Sequence, residues 1–415
     1  MLIFLGHLAV GQKLMRSLPA TIFLGLSLIS CSHGLGRQEP DFSIAPVESF
    51  DGEQDLALFE PVNGTYLGAN IEWAYDSAAD FNQRLGMNAA VFVQFLQFPL
   101  NSDTSIYLEQ FLGQVLEVKA IALLTLEPVE GLEQVTPASL APLTDILARF
   151  NQQGVPIIIR FAHEMNGSWY AWSQQPTLYI EKFRLVADTV REQTSLTALL
   201  WAPNYGGGYP FSGGRFEIER SHPDFEVLDT NGDGQLDTSD DMYAPYYPGD
   251  DYVDWVGLSI YHWGNAYPWG ENEIPEEKKF INMIRGNYNG LIGNESNLPD
   301  FYLDYVIHHN KPMAITETAA LYNREGEGDG EAEIKLRWVE QVFSEEVFDQ
   351  FPRLKMINWF DVQKNESEIG GSFIDWSVTF SSEIRSNFVE RLPTGRLIFA
   401  DEIKFPPVEF NREDG

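Results

Sequence analysis

The sequence has one cysteine, Cys31, among 415 residues, so no disulfide can form within the chain. Basic residues are scarce as well: 27 Lys and Arg stand against 61 Asp and Glu, and the formal net charge is −34. Such a surface repels nucleic acid, anionic membranes and polyanionic substrates. No Gly-rich dinucleotide loop and no repeat of fixed period occurs, which argues against a nucleotide-binding sheet, a solenoid or a propeller.

The longest early apolar run, residues 18–29, is too short to span a bilayer comfortably. Lys13 and Arg16 precede it, and it leads directly to Cys31. This arrangement resembles a bacterial lipoprotein signal, in which the cysteine is lipidated and becomes the new N-terminus. An ordinary signal peptide with a coincidental cysteine is the alternative. Either reading predicts export: a lipid anchor in the envelope (outer membrane or cell surface), or otherwise secretion.

We therefore expect three parts. Residues 1–30 form a lipoprotein-type signal peptide, and residues 31–62 form a tether that leads into the fold. Residues 63–405 form a single domain. Contact with a membrane is expected only through the lipid, and the protein is expected to be a monomer.

Short apolar runs alternate with helical patterns along this domain, which indicates a parallel sheet with crossover helices. Helical faces recur in residues 139–150, 178–192 and 331–348. Eight strands over this length favour a single (β/α)8 TIM barrel of the α/β class, with a doubly wound open sheet as the alternative. The eight runs are 66–73, 89–98, 120–126, 156–161, 198–202, 253–261, 313–316 and 355–360.

The longest insertion, residues 203–252, follows the fifth strand and contains the sequence DTNGDGQLDTSD (229–240). Oxygen ligands at positions 1, 3, 5, 9 and 12, with Gly at position 6, match the calcium loop of an EF-hand. No strong amphipathic helices flank it, so we expect a structural Ca²⁺ clip; an Asp- and Gly-rich solvated turn is the alternative. No cofactor is expected for catalysis. The predicted ligands are Asp229, Asn231, Asp233, Gln235 (through its carbonyl), Asp237 and Asp240.

The fourth run, PIIIRF (156–161), ends in a cluster of ionisable, polar and aromatic residues. The ends of barrel strands concentrate functional residues. A carboxylate at that position, beside His and Arg and facing Trp rings, suits acid/base chemistry on an uncharged, ring-shaped substrate. The cluster comprises Arg160, His163, Glu164, Asn166, Trp169 and Trp172.

A second carboxylate, Glu317, closes the seventh run. If Glu164 closes strand four, both lie on the C-terminal face of the barrel, where two carboxylates suit glycoside cleavage. A structural ion pair is the competing interpretation of Glu317. Glu127, at the end of the third run, is either a cleft residue that binds a sugar hydroxyl or a solvated carboxylate.

The stretch RFAHEMNGSWYAW (160–172) resembles the acid/base signature of glycoside hydrolase family 26. The likeness continues through WAPN (201–204), YPGD (247–250), VDWVG (253–257), Tyr261 and Trp359. That family consists of retaining β-glycanases with barrel folds, mostly β-mannanases, with some mixed-linkage β-glucanases and β-1,3-xylanases.

The resemblance implies a role for each matching residue. Glu164 would be the acid/base and Glu317 the nucleophile, while Arg160 would orient the carboxylates. His163 would support the acid, although a satisfied core histidine is the alternative. Tyr261 would contact the nucleophile, and Trp169 and Trp359 would form the sugar-binding floor. Trp172 and Asn204 are expected to bind substrate.

The expected function is a retaining endo-β-glycanase acting on β-1,4-mannan-type polysaccharide. A β-1,3-1,4-glucanase or β-1,3-xylanase of the same family is the alternative. A non-catalytic, glycan-binding surface lipoprotein belongs to another class, but such proteins commonly lack one of the two carboxylates. A metal-dependent hydrolase is disfavoured because no His-x-His pair lies at a strand end.

Overall fold

The eight predicted strands form a closed parallel barrel in the computed structural model, which describes residues 56–265, 267, 269–288 and 298–403. Each strand pairs with the next, and the first also pairs with the eighth, so the (β/α)8 prediction is confirmed. The strands are β1 (Thr65–Ile71), β2 (Val91–Gln97), β3 (Ile121–Glu127), β4 (Ile157–Phe161), β5 (Thr197–Trp201), β6 (Trp255–Ser259), β7 (Met313–Thr318) and β8 (Leu354–Asp361).

Nine α-helices lie in the described part of the chain, most of them as crossovers around the barrel. The helical pattern at 331–348 is two helices, because Ser344 adopts an extended conformation and caps the second through the N–H of Val347. The helices are α1 (Ala78–Leu85), α2 (Ser102–Val118), α3 (Pro137–Asn151), α4 (Pro176–Gln193), α5 (Phe225–Leu228), α6 (Lys279–Ile284), α7 (Glu331–Val342), α8 (Glu345–Gln350) and α9 (Ser382–Arg391).

A π-helix (Tyr302–Ile307) precedes β7, and a hairpin of β9 (Gln363–Glu366) and β10 (Ser372–Asp375) follows β8. A short strand, β11 (Leu397–Ile398), adds to β1. None of the helices in the described residues is long and apolar enough to cross a membrane. The predicted signal peptide, Cys31 and all of the tether before residue 56 lie outside the described residues.

Side chains alternate between two apolar layers, as a barrel strand requires. One layer fills the barrel interior with residues such as Ile158 and Met356. The other lies between the strands and the helices and includes Ile157, Ile357 and Trp359. Whether a strand residue points into the barrel or towards the helices therefore follows from its place in this two-residue alternation, unless the strand is irregular.

The N-terminal end of the barrel is closed by the segment before β1. The carbonyl of Leu58 accepts the indole N–H of Trp255 at 2.8 Å, and that of Phe59 accepts the Tyr66 hydroxyl at 3.0 Å. Both side-chain oxygens of Glu60 bind Arg353, at 2.8 and 2.9 Å. Residues 58–60 therefore pack against the barrel, within the segment 31–62 that is predicted to be a tether and entry into the fold.

Arg353→Ala should lower the free energy of unfolding by about 3 kcal/mol or more, because it leaves the carboxylate of Glu60 buried without a counter-ion. Arg337→Ala, which removes a half-exposed arginine from α7, should cost less than about 1 kcal/mol. Denaturant unfolding of both variants checks the difference, and equal losses would contradict a sealing role for the buried pair.

Candidate active site

Glu164 lies in a tight turn after β4 whose backbone is unusual. Ala162 and Glu164 both have positive φ angles, 46° and 52°. Such conformations cost about 1–3 kcal/mol for a non-Gly residue and persist where the surroundings enforce them. Here the N–H of Glu164 donates to the carbonyl of Ala202, just past β5, at 3.0 Å. The strained turn thus fixes Glu164 at the C-terminal end of the barrel.

Asn166 ties this turn to the next strand. Its amide donates to the carbonyl of Asn204 at 2.9 Å and accepts the N–H of Asn204 at 2.8 Å. Asn204 also forms an isolated parallel bridge with Ser259. The backbone of Asn204, predicted from sequence to bind substrate, therefore carries a structural link across three strands.

Glu317 reaches the interior of the barrel only because β7 is irregular. Ala314 points inward and Ile315 outward, so strict alternation would turn Glu317 out towards the helices. The register with β6 shifts, and Glu317 pairs with Ser259. The extra residue, as in a β-bulge, re-aims the side chain. Thr318 then points outward and accepts the indole N–H of Trp338 in α7.

Both oxygens of Glu317 have donors. Arg160 Nη2 lies 2.5 Å from Oε1, and the hydroxyl of Tyr261 lies 2.7 Å from Oε2. Arg160 is fully buried, and its Nε donates to the hydroxyl of Thr125 in β3. The predicted residues Arg160, Tyr261 and Glu317 therefore come together, and they hold this carboxylate in one orientation.

Glu164 has a different environment. Its pKa is raised to about 7: burial is the largest cause, the negative charge of Glu317 also raises the pKa, and the charge of Arg160 lowers it. Hydrogen bonds from Ser259 and from the indole of Trp169, the latter at 3.3 Å, also lower the pKa. The raised pKa lets Glu164 keep its proton at a higher pH than an ordinary glutamate, which suits a general acid.

His163 is buried beside Glu164, between the rings of Phe95, Tyr170 and Trp172. Burial lowers its pKa well below the usual value, and the charge of Arg160 lowers it further, so the ring is neutral. Its Nδ1 has no hydrogen-bond partner among the described residues. The ring packs as a core residue while it borders the cleft.

Two of the predicted sugar contacts do not lie at the cleft surface. Trp172 is 1% exposed and donates to the carbonyl of His163 at 2.7 Å, so it supports the turn from behind. Trp359 is also 1% exposed and packs outward between Phe343 and Phe388. Trp359 points outward because it lies two residues after Ile357 on β8 and therefore shares its outward face.

Other aromatic residues lie near the carboxylates instead of Trp172 and Trp359. Phe360, the next residue of β8, packs edge-on against the ring of Tyr261. On β2, the ring of Phe95 lies under the guanidinium of Arg160 at 5.2 Å. Trp169 keeps a partly exposed ring, and it packs edge-on against Phe211. The alternation of β2 and β8 was the signal that could have identified Phe95 and Phe360.

Comparison with known proteins bears on this geometry. The profile of glycosyl hydrolase family 26 matches residues 119–210, which include Arg160, His163, Glu164 and Trp169. Endoglucanase H of Acetivibrio thermocellus is 23% identical over 265 residues, covering 61% of this chain and 22% of that protein. A mannan endo-1,4-β-mannosidase of Bacillus subtilis is 26% identical over 165 residues, covering 38% of this chain and 37% of that protein.

Solved structures show the same fold. An endo-β-1,4-mannanase double mutant from Cellulomonas fimi superposes with a TM-score of 0.54 at 16% identity, covering 83% of this chain and 75% of the other. GH26C from Muricauda sp. superposes with a TM-score of 0.53 at 15% identity, covering 84% of this chain and 91% of the other. The chain is thus similar to glycosyl hydrolase family 26 over residues 119–210, and it shares its barrel fold with these solved structures. It spans only 22% and 37% of the two curated relatives named above.

Ser259→Ala should raise the pKa of Glu164 by about one unit, because the variant removes a hydrogen bond to the ionised carboxylate. Carbon-13 NMR titration of labelled glutamate, assigned with Glu164→Gln, measures the shift directly. Ser105→Ala, at the start of α2 outside the barrel, is the control. A pKa that falls or stays unchanged in Ser259→Ala would contradict this description of the acid.

Proposed function

We propose that the chain is a retaining endo-β-glycanase that hydrolyses β-1,4-mannan-type polysaccharide with Glu164 as acid/base and Glu317 as nucleophile. The observation that supports this most is the contrast between the two carboxyl groups. Glu164 has a raised pKa of about 7, whereas Glu317 is bound by Arg160 and Tyr261. Two carboxyls in opposed environments are the requirement for acid and nucleophile in one cleft.

In the first step, an oxygen of Glu317 forms a bond to the anomeric carbon as the bond to the glycosidic oxygen breaks. Glu164 gives its proton to that oxygen, and the shortened chain leaves as an alcohol. The product is a glycosyl ester of Glu317, and Glu164 is now a carboxylate. Arg160 and Tyr261 keep Glu317 aimed at the carbon throughout this step.

In the second step, Glu164 removes a proton from water, and the oxygen of that water attacks the anomeric carbon. The ester bond breaks, Glu317 regains its carboxylate, and Glu164 is protonated again. The two inversions retain the configuration of the sugar. The rings of Trp169, Tyr261 and Phe360 supply apolar surface at this end of the barrel for the sugar faces.

The polymer is inferred from the relatives. Mannan endo-1,4-β-mannosidases occur among the curated relatives, and their similarity lies over short stretches. Endoglucanase H covers the larger share of this chain. A mixed-linkage β-glucan is therefore the second candidate substrate, and β-1,3-xylan is a third within the same family resemblance.

Glu317→Gln should lower turnover by more than about 10³-fold, because an amide cannot form the glycosyl ester. It should keep the fold and oligosaccharide binding, since the amide oxygen can still accept from Arg160, but its melting temperature should fall because Arg160 loses its buried counter-ion. The assay is reducing-sugar release from mannan, glucomannan, mixed-linkage β-glucan and β-1,3-xylan. Glu368→Gln, an exposed glutamate beyond β9, is the matched control.

Activity on one polymer that disappears in Glu317→Gln supports both the mechanism and the substrate class. Substantial turnover in Glu317→Gln would exclude this residue as the nucleophile. Binding of oligosaccharides by a wild-type protein that cleaves none of the four polymers would support the glycan-binding alternative.

We also propose a structural Ca²⁺ in the loop at 229–240. The turn required at position 6 is present, since Gly234 has a φ of 80°. The carboxylates at the two ends turn towards the loop: Asp229 accepts the N–H of Gly234, and Asp240 accepts that of Asp237. Among the described residues, no three His, Cys, Asp or Glu side chains converge as a metal site, so the ion would have to draw the ligands inward.

Adding Ca²⁺ at 100 times its Kd should stabilise the fold by about 2.7 kcal/mol, because ligand binds only the folded loop. EDTA should accordingly lower the melting temperature more than it lowers the activity of the still-folded protein. Thermal melting with and without Ca²⁺ measures the effect, with Asp233→Asn as the loop variant. An identical melting temperature in EDTA and in Ca²⁺ would rule out the clip.

A further inference from the structure

A third carboxyl group lies in the cleft without a role in the two steps above. Glu127 is the last residue of β3. Leu123 points into the barrel, so Thr125 and Glu127 share the inward face by alternation. Thr125 confirms this direction, because its hydroxyl accepts the Nε of the buried Arg160. Glu127 therefore stands at the C-terminal end of the barrel one strand away from Glu164.

The charged groups around Glu127 are those of the active site. Its pKa is raised to about 7: burial is the largest cause, the charges of Arg160 and Lys364 lower the pKa, and the negative charge of Glu317 raises it. The pKa of the Tyr170 phenol is raised by burial and, in addition, by the negative charges of Glu164, Glu127 and Glu317. Glu127 and Glu164 thus both lie close enough to Glu317 and Arg160 for the charges to interact, and Lys364 of β9 is near Glu127 as well.

Glu127 is not the buried counter-ion of Arg160. The guanidinium contacts Glu317 through Nη2 and Thr125 through Nε, and its Nη1 has no partner in the described part of the chain. Lys364 pairs with Glu366 at 3.2 Å. Glu127 is half-buried, and no hydrogen bond from a described residue reaches its carboxyl, so that group is open to a ligand in the cleft.

From this placement we propose that Glu127 binds a ring hydroxyl of the sugar held beside Glu317 and so helps to determine which sugar is accepted. The proposal rests on the function given above. A sugar hydroxyl is a suitable partner because it can donate to the carboxylate and accept from the protonated acid. A site that hydrogen-bonds one hydroxyl discriminates strongly against sugars that lack it or place it elsewhere.

The test uses binding, so that it does not depend on turnover. In the full-length Glu317→Gln protein, calorimetry measures the affinity for an oligosaccharide of the polymer that the wild type cleaves, and for its monodeoxy analogues. Glu127→Ala in that background should weaken binding of the parent sugar about 10- to 100-fold. One deoxy analogue, which lacks the hydroxyl bound by Glu127, should bind Glu317→Gln about 10- to 100-fold more weakly than the parent sugar does. Adding Glu127→Ala should not weaken the binding of this analogue any further, because the hydrogen bond is already absent.

Glu130→Gln, which changes an exposed glutamate in the loop that follows β3, should leave every affinity unchanged. Glu127→Gln, which keeps one acceptor oxygen, should lose less than Glu127→Ala and should retain the melting temperature. The role of Glu127 would be overturned if adding Glu127→Ala left the affinity for the parent sugar unchanged. It would also be overturned if every deoxy analogue lost the same affinity, both in Glu317→Gln and in Glu317→Gln with Glu127→Ala. The proposed function itself would be overturned if the Glu317→Gln protein bound none of the oligosaccharides and the wild-type protein cleaved none of the polymers.

Discussion

The buried ion pair between Arg160 and Glu317 is the interaction on which the rest of the cleft depends. Removing both charges from water is expensive, and it is repaid only where geometry and further hydrogen bonds are good. Here Arg160 also binds Thr125, and Glu317 also binds Tyr261. Strands β3, β4 and β7 and the segment after β6 are thereby fixed relative to one another through one guanidinium group.

The same pair determines how the other carboxyls behave. Because Arg160 is committed to Glu317, it only partly offsets the burial of Glu164 and Glu127, and the pKa of each is raised to about 7. In this site one carboxylate, Glu317, has two hydrogen-bond donors, whereas the other two carboxyls, Glu164 and Glu127, have raised pKa values. Such a separation of environments is how a fold obtains an acid and a nucleophile from one residue type.

Much of the fold follows from local patterns in the sequence. β-branched and apolar runs marked all eight strands, because strands covered on both faces must be apolar throughout. The position of the two glutamates at strand ends followed from the same count. The break within residues 331–348 was not visible, since Ser344 caps a new helix without interrupting the apolar face.

Side-chain directions were harder to predict than strand positions. A one-residue register shift in β7 turns Glu317 inward, and nothing in its sequence marks the shift. Conversely, regular alternation in β8 turns Trp359 outward and Phe360 towards Tyr261, although a motif match favours Trp359. The closure of the barrel floor by Glu60 and Arg353 joins residues 293 positions apart, beyond the reach of local patterns.

The central claim is that Glu317 forms a covalent glycosyl ester during turnover. Its most direct test is mass spectrometry after incubation with a 2-deoxy-2-fluoro glycoside that carries an activated leaving group, which slows the second step more than the first. The account predicts one added sugar per chain, located on the peptide that contains Glu317 and absent from Glu317→Gln. A sugar attached to another residue, or inversion of the anomeric configuration in the products, would contradict it.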